Sequence, residues 1–148
     1  MNAAFDQKLR LTVYRHFATT GHAPTATAMA NHHGVSREAV VAGFQRLQDQ
    51  HLLALEADGA RIRMAPPFSA VPTQHRVVID GVHSFANCAW DALGIVAALQ
   101  RPGTVYSRCE ENHQALVLEV GADGPPPLNW LFHCPVPASR WWENVVDT

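Results

Sequence analysis

A Pro66-Pro67 pair divides this sequence into two stretches whose apolar residues repeat with different periods. Proline fixes its own φ and removes a backbone donor, so neither a helix nor a central strand runs through the pair. Before it, the apolar positions recur at helical spacing. Phe5, Leu9, Val13, His16 and Phe17 form one stripe over residues 5–18. Gly21 and Pro24 mark a stop and a restart, and a short helix is predicted from Thr25 to His33, ended by Gly34. Ser36 is a good N-cap for a third helix from Arg37 to about Gln50, with Val40, Val41, Phe44 and Leu47 on its apolar face. Two short strands, Leu52 to Glu56 and Arg61 to Met64, flank Ala57-Asp58-Gly59-Ala60, which is a hairpin signature. Three helices and a hairpin make a winged-helix pattern.

After the prolines the pattern is mixed. His75 to Ile79 reads as a strand, Asp80-Gly81 turns it back, and a second strand runs to about Ala86. Ala89 to Leu99 is a mostly apolar helix closed by Pro102-Gly103. Thr104 to Ser107 and Ala115 to Val120 are strand-like, and Gly121 to Pro127 is a Pro/Gly-rich loop. A last short strand is predicted over Leu131 to Cys134, and a terminal helix over Pro137 to Val146. The expected fold class is α+β: a winged-helix-like domain over residues 1–65, then a small mixed or antiparallel sheet domain with helices over 66–148.

A chain of 148 residues can bury one ordinary core or two small ones packed together. Its 47% hydrophobic and 16% charged residues are those of a globular protein, and no apolar run approaches the ~20 residues that span a bilayer. The first ten residues lack the apolar core of a signal peptide, so the default expectation is a cytoplasmic protein without a membrane partner. Three cysteines are too few for a disulfide framework, and free thiols are expected. Residues 1–65 hold seven Lys and Arg against five Asp and Glu, and residues 66–148 hold four against eight. Neither half has the basic footprint of a strong nucleic-acid binder.

The chemistry concentrates in Asn87-Cys88-Ala89-Trp90-Asp91. Residues three apart on a helix share a face, so a thiol and a carboxyl meet in one small site. The helix start favours thiolate, which is a soft nucleophile and metal ligand, and the carboxyl can carry a proton to or from whatever the sulfur holds. Standing by itself, the pair reads first as a buried structural cysteine beside a capping or solvated Asp. His32-His33 diverge by ~100° on a helix and are expected at the surface rather than on one ion. Trp90, Trp130, Trp141 and Trp142 are read as core and lid aromatics. A Cys/His pocket for a soft metal is chemically reasonable around Cys109, His113, His133 and Cys134, but no Cys-x-x-Cys pair supports structural zinc.

Cys88-x-x-Asp91, then Cys109, then His133-Cys134-Pro135-Val136-Pro137 before Trp141-Trp142, taken in that order, resemble the organomercurial lyase (alkylmercury lyase) family. The resemblance covers about residues 68–142, with a compatible helical domain before it. It implies that two thiolates and a carboxyl act on a carbon–mercury bond and that the carboxyl helps to deliver the proton that releases the hydrocarbon. Cys88 matches the first catalytic Cys, Asp91 the catalytic Asp, and Cys109 a Cys usually read as structural. The family's second catalytic Cys falls in Gly124 to Phe132, which contains none. Cys134, beside His133 and before Pro135, is therefore the expected substitute, with Cys109 as runner-up.

Two functions follow. In one, the chain cleaves carbon–mercury bonds, with Cys88, Asp91 and Cys134 catalytic and Cys88, Cys109 and Cys134 as sulfur donors to mercury. Its substrate is a small organomercurial, it needs no cofactor, and a solution thiol is the co-reactant. In the other, it is a winged-helix regulator or soft-metal binding protein without turnover. Nucleic acid is the less favoured partner, to be contacted through Arg37, Gln45, Arg46 and Gln48 with Arg61 and Arg63 on the wing.

Overall fold

The computed structural model describes residues 2–145. Its first three helices are α1 (Asn2–Thr20), α2 (Ala26–His33) and α3 (Arg37–Asp49). They form where the capping and periodicity predict them. Thr25 and Ser36 accept from the Ala28 and Ala39 amides at 3.1 Å, and Gly34 ends α2 at φ 65°. The buried stripe of α1 differs from the expected one. Asp6, rather than Phe5 or His16, joins Leu9, Val13 and Phe17. A buried carboxylate needs a partner, and Arg46 of α3 supplies two hydrogen bonds at 2.7 and 2.8 Å. Gly21, at φ 75°, ends α1 against the sheet; a Cβ there would lie 1.8 Å from the His83 carbonyl oxygen.

Seven strands follow: β1 (Ala54–Leu55), β2 (Ile62–Ala65), β3 (Phe68–Ser69), β4 (His75–Ile79), β5 (Val82–Ala86), β6 (Gly103–Arg108) and β7 (Ala115–Val120). They make one sheet in the order β1-β2-β3-β5-β4-β6-β7, and every neighbouring pair is antiparallel. The α+β class thus takes its antiparallel form. The unpredicted element is β3. It lies just past the prolines and pairs with β2 on one side and β5 on the other, so the sheet crosses Pro66-Pro67 without a break. Asp80 (φ 50°) and Gly81 (φ 78°) make the tight β4–β5 turn.

The helix α4 (Ala89–Leu99) packs on β3, β4, β5 and β6 through Ala92, Ile95 and Val96. Its Gly94 faces Pro67 closely enough that a Cβ would meet the proline ring at 3.3 Å. A single core gathers Leu9, Phe17, Phe44 and Leu47 from the helices with Phe68, Val77, Ile95 and Val105. Among the described residues no helix is long and apolar enough to cross a membrane.

Two expectations near the C-terminus are corrected. Leu131 to Cys134 is not a strand: Leu131 is 95% exposed and no partner strand lies beside it. Beyond Pro127 the chain is a connection whose apolar side chains find no core to enter. The terminal helix is only a 3-10 turn, η1 (Ala138–Glu143), and Val146 lies outside the described residues.

Arg46 neutralises a carboxylate that is almost wholly buried, so Arg46→Ala should destabilise the fold by about 2 kcal/mol, below the range for a fully buried pair because Arg46 itself is partly solvated. Urea unfolding measures this; a loss under 0.5 kcal/mol would show that water reaches Asp6.

Candidate active site

The register of β5 aims the chain at the site. His75 pairs with Ala86 and Phe68 also pairs with Ala86, so β5 ends between two strands and releases Asn87 and Cys88 at the edge of the core. Cys88 is the N-cap of α4, with extended backbone at φ −142°, ψ 176°. Its Sγ accepts from the Asp91 amide at 3.5 Å, and its carbonyl accepts from the Ala92 amide at 3.0 Å. Sulfur is a weak acceptor, and Ser or Asp would cap better. A thiol at this position points to chemistry rather than to helix stability.

The expected three-residue juxtaposition of Cys88 and Asp91 is present, and both side chains are partly buried. The expected thiolate is not. Burial pushes the Cys88 thiol above its ordinary value. The Asp91 amide opposes this, and the Asp91 carboxylate adds to the rise both by its charge and by accepting from the thiol. Desolvation and a neighbouring anion therefore outweigh the helix start. Burial likewise pushes the Asp91 carboxyl up to about 6, with the hydrogen bond from Cys88 opposing. The two groups hold protons more tightly than either would in water, and they titrate as a pair.

The pair opens onto a cavity of about 940 Å³ at the end of the sheet where β5 and β6 finish and β4 and β7 begin. All three cysteines border it. Cys109 is partly buried just past β6, and its amide donates to the Gln114 carbonyl at 2.9 Å within the β6–β7 connection. Cys134 is exposed; its thiol donates to the Val136 carbonyl at 2.8 Å, and Trp141 Nε1–H donates to its sulfur at 3.3 Å. The cysteines share the cavity without forming a three-donor cluster: among the described residues no three His, Cys, Asp or Glu side chains are grouped to hold a metal ion.

Other groups at the cavity were not singled out by sequence. His75 is buried at the start of β4 with Nδ1 2.8 Å from Ser107 Oγ. Burial lowers its pKa, with Glu110 opposing, so at neutral pH it is an uncharged wall. Asn87 Nδ2 donates to the Val145 carbonyl at 2.9 Å and ties the site to the C-terminal segment. Only strand register brings His75 to Ser107, and nothing local in the sequence signals it. The tryptophans also depart from expectation. Trp90 and Trp130 are about half exposed, and Trp90 packs on Phe132 with ring centroids 5.7 Å apart, tilted 43°. Trp142 stacks on His51 at 4.8 Å. Of the two adjacent histidines, His32 is exposed, but His33 is partly buried against Phe5 with Nε2 unpartnered.

Residues 68–148 match the family described as MerB, alkylmercury lyase, which is more than half of the chain. The chain belongs to the alkylmercury lyase family. The matched region begins at β3 and contains α4, all three cysteines and most of the cavity lining. The fold is similar to that of a solved structure, the mercury-bound form of MerB2, with a TM-score of 0.66 and 23% identity. That likeness covers 82% of this chain and 58% of the MerB2 chain, so this alkylmercury lyase family member spans well under two thirds of the solved chain's length. No curated protein matches the sequence.

Because the Asp91 charge raises the Cys88 pKa, Asp91→Asn should lower it and speed iodoacetamide alkylation of Cys88 at pH 7. The rate is best read in a Cys109→Ser/Cys134→Ser background across pH. An unchanged profile would mean that Asp91 does not act on the thiol.

Proposed function

We propose that this chain is an organomercurial lyase that cleaves carbon–mercury bonds by protonolysis. The observation that carries this reading is the Cys88–Asp91 pair: a soft nucleophile and a carboxyl of raised pKa, joined within one helical turn on a cavity with apolar and aromatic walls. A thiol that only held a soft ion would need no carboxyl beside it. Between the two pKa values the pair holds one proton, which is the proton the hydrocarbon needs.

In this mechanism the Cys88 sulfur bonds to mercury in place of the ligand the organomercurial carries, which leaves as its anion, and the Cys88 proton passes to Asp91. A second thiol gives its proton to solvent, joins the mercury as thiolate and pushes electron density onto the carbon. The carbon–mercury bond breaks, its electron pair takes the proton from Asp91, and the hydrocarbon leaves. Mercury remains divalent on two sulfurs and is removed by excess solution thiol, so nothing is oxidised or reduced. Cys134 is taken as the second donor because it is exposed on the same cavity and held by only two weak sulfur contacts. Cys109, fixed in the β6–β7 connection, is the runner-up.

The arrangement of the first three helices supports this reading over a nucleic-acid regulator. Of the six side chains placed for DNA contact, five carry internal contacts. Arg46 binds Asp6, Arg61 binds Asp58 and Arg63 binds Glu56. Gln45 donates to the Gly59 carbonyl and Gln48 accepts from the Leu55 amide. Phosphate contacts would have to break these pairs first.

Incubation with phenylmercury and excess thiol should release benzene. The rate should rise with pH through about 6, as the doubly protonated pair gives way to the singly protonated one. Asp91→Asn should hold mercury yet release no benzene, and Cys88→Ser should release no benzene, with any mercury it holds on Cys109 or Cys134. Stoichiometric mercury binding with no benzene from the unaltered chain would leave a soft-metal binding protein instead.

The second donor is separately testable. Cys134→Ser should cut turnover at least 100-fold while single-site phenylmercury binding at Cys88 persists, and Cys109→Ser should leave turnover within about 3-fold. The reverse pattern would transfer the role to Cys109.

A further inference from the structure

The structure leaves two large aromatic rings uncovered beside the reactive pair. Trp90 stands between Cys88 and Asp91 in the first turn of α4 and is 54% exposed; Phe132, on the segment that carries Cys134, is 46% exposed. Both border the cavity. Rings of this size left half in water at a cavity wall forgo much of the apolar burial they could make, while α4 packs its other apolar residues on the sheet. With centroids 5.7 Å apart, the two rings touch each other and leave no room for a third between them. A flat apolar group can instead lie across their uncovered faces and edges. Leu131, 95% exposed, and Leu116 extend the same wall.

We propose that Trp90 and Phe132 form the binding wall for the organic substituent of the substrate, and that the substrate class is arylmercury compounds rather than small alkylmercury compounds. This rests on the carbon–mercury reading above and names the substrate of the same site. A methyl group would touch little of a cavity of about 940 Å³, whereas a phenyl ring meets both side chains at once. Position couples the contact to chemistry. Trp90 lines the same cavity as Cys88 and Asp91, so a ring resting on its indole keeps the carbon–mercury bond in the space that both groups border. Phe132 is two residues from Cys134, so the same ring draws the second sulfur toward the metal. The substituent thereby helps to assemble the site that cleaves it.

The test compares kcat/KM for phenylmercury and methylmercury, each with excess thiol, in the unaltered chain, Trp90→Leu and Phe132→Ala. Phe132 is on an exposed connection outside the core, so Phe132→Ala reads the wall even where Trp90→Leu disturbs the start of α4. Comparison with the unaltered chain cancels the intrinsic difference in lability between the two carbon–mercury bonds. The phenyl-to-methyl ratio should fall about 10-fold in each variant, mostly through KM for phenylmercury. An unchanged ratio in Phe132→Ala, with both substrates affected alike, would overturn the proposal. If the unaltered chain releases neither benzene nor methane, the lyase reading fails. The wall is then judged by equilibrium binding of the two compounds: a preference for phenylmercury that Phe132→Ala removes supports it, and equal affinities overturn it.

Discussion

Two residues of β3 carry the connection on which the site depends. Phe68 pairs with Ala86 and Ser69 with Phe85, and through them the antiparallel β1–β2 pair becomes continuous with the larger sheet. The pairing does more than join strands. It brings the buried Phe68 ring onto Phe17 of α1, with centroids 5.2 Å apart, so the helices and the sheet share one core. It also sets where β5 must end. Because side chains alternate along a strand, a slip of one residue would turn Ala86 outward and move Asn87 and Cys88 off the cavity edge. The position of Cys88 is thus a consequence of strand register several residues away.

Once placed, Cys88 and Asp91 are governed by competing electrostatic effects. The start of α4 offers backbone amides, which stabilise negative charge. Burial opposes it for both groups, the Asp91 carboxylate adds to the rise at Cys88, and the opposition wins. The result is a thiol and a carboxyl that resist ionising together and so retain a proton at neutral pH.

The C-terminal segment contrasts with this well-packed frame. Among the described residues it adds no strand of the sheet from Gly121 onward, and its large apolar side chains, Leu128, Trp130, Leu131 and Phe132, lie at the surface. It is anchored through Asn87 to Val145, Trp142 to His51 and Trp90 to Phe132. Trp141 binds Cys134 and Val136 within the segment itself, which shapes a local turn around the thiol. A few anchors at separated points let such a segment adjust to a bound group at lower cost than a strand of the sheet could.

Helix caps, turn residues and apolar spacing are local, so the sequence by itself determined α1 to α4, the hairpin at Asp58-Gly59, the tight turn at Asp80-Gly81 and strands β4 to β7. It also determined that Cys88 and Asp91 meet, because a three-residue separation on a helix leaves no alternative. Only the tertiary structure decided the rest. A two-residue strand such as β3 has no periodicity to read, and it exists because β2 and β5 need a neighbour between them. The stripe on α1 took Asp6 because Arg46 was within reach across the helix pair. Leu131 to Cys134 has the composition of a strand but no edge to join. The protonation of Cys88 was illegible for the same reason: the local rule concerns the helix start, whereas burial depends on what folds over it. Contacts set by distant partners are invisible in local spacing, and they fixed which thiols share one cavity.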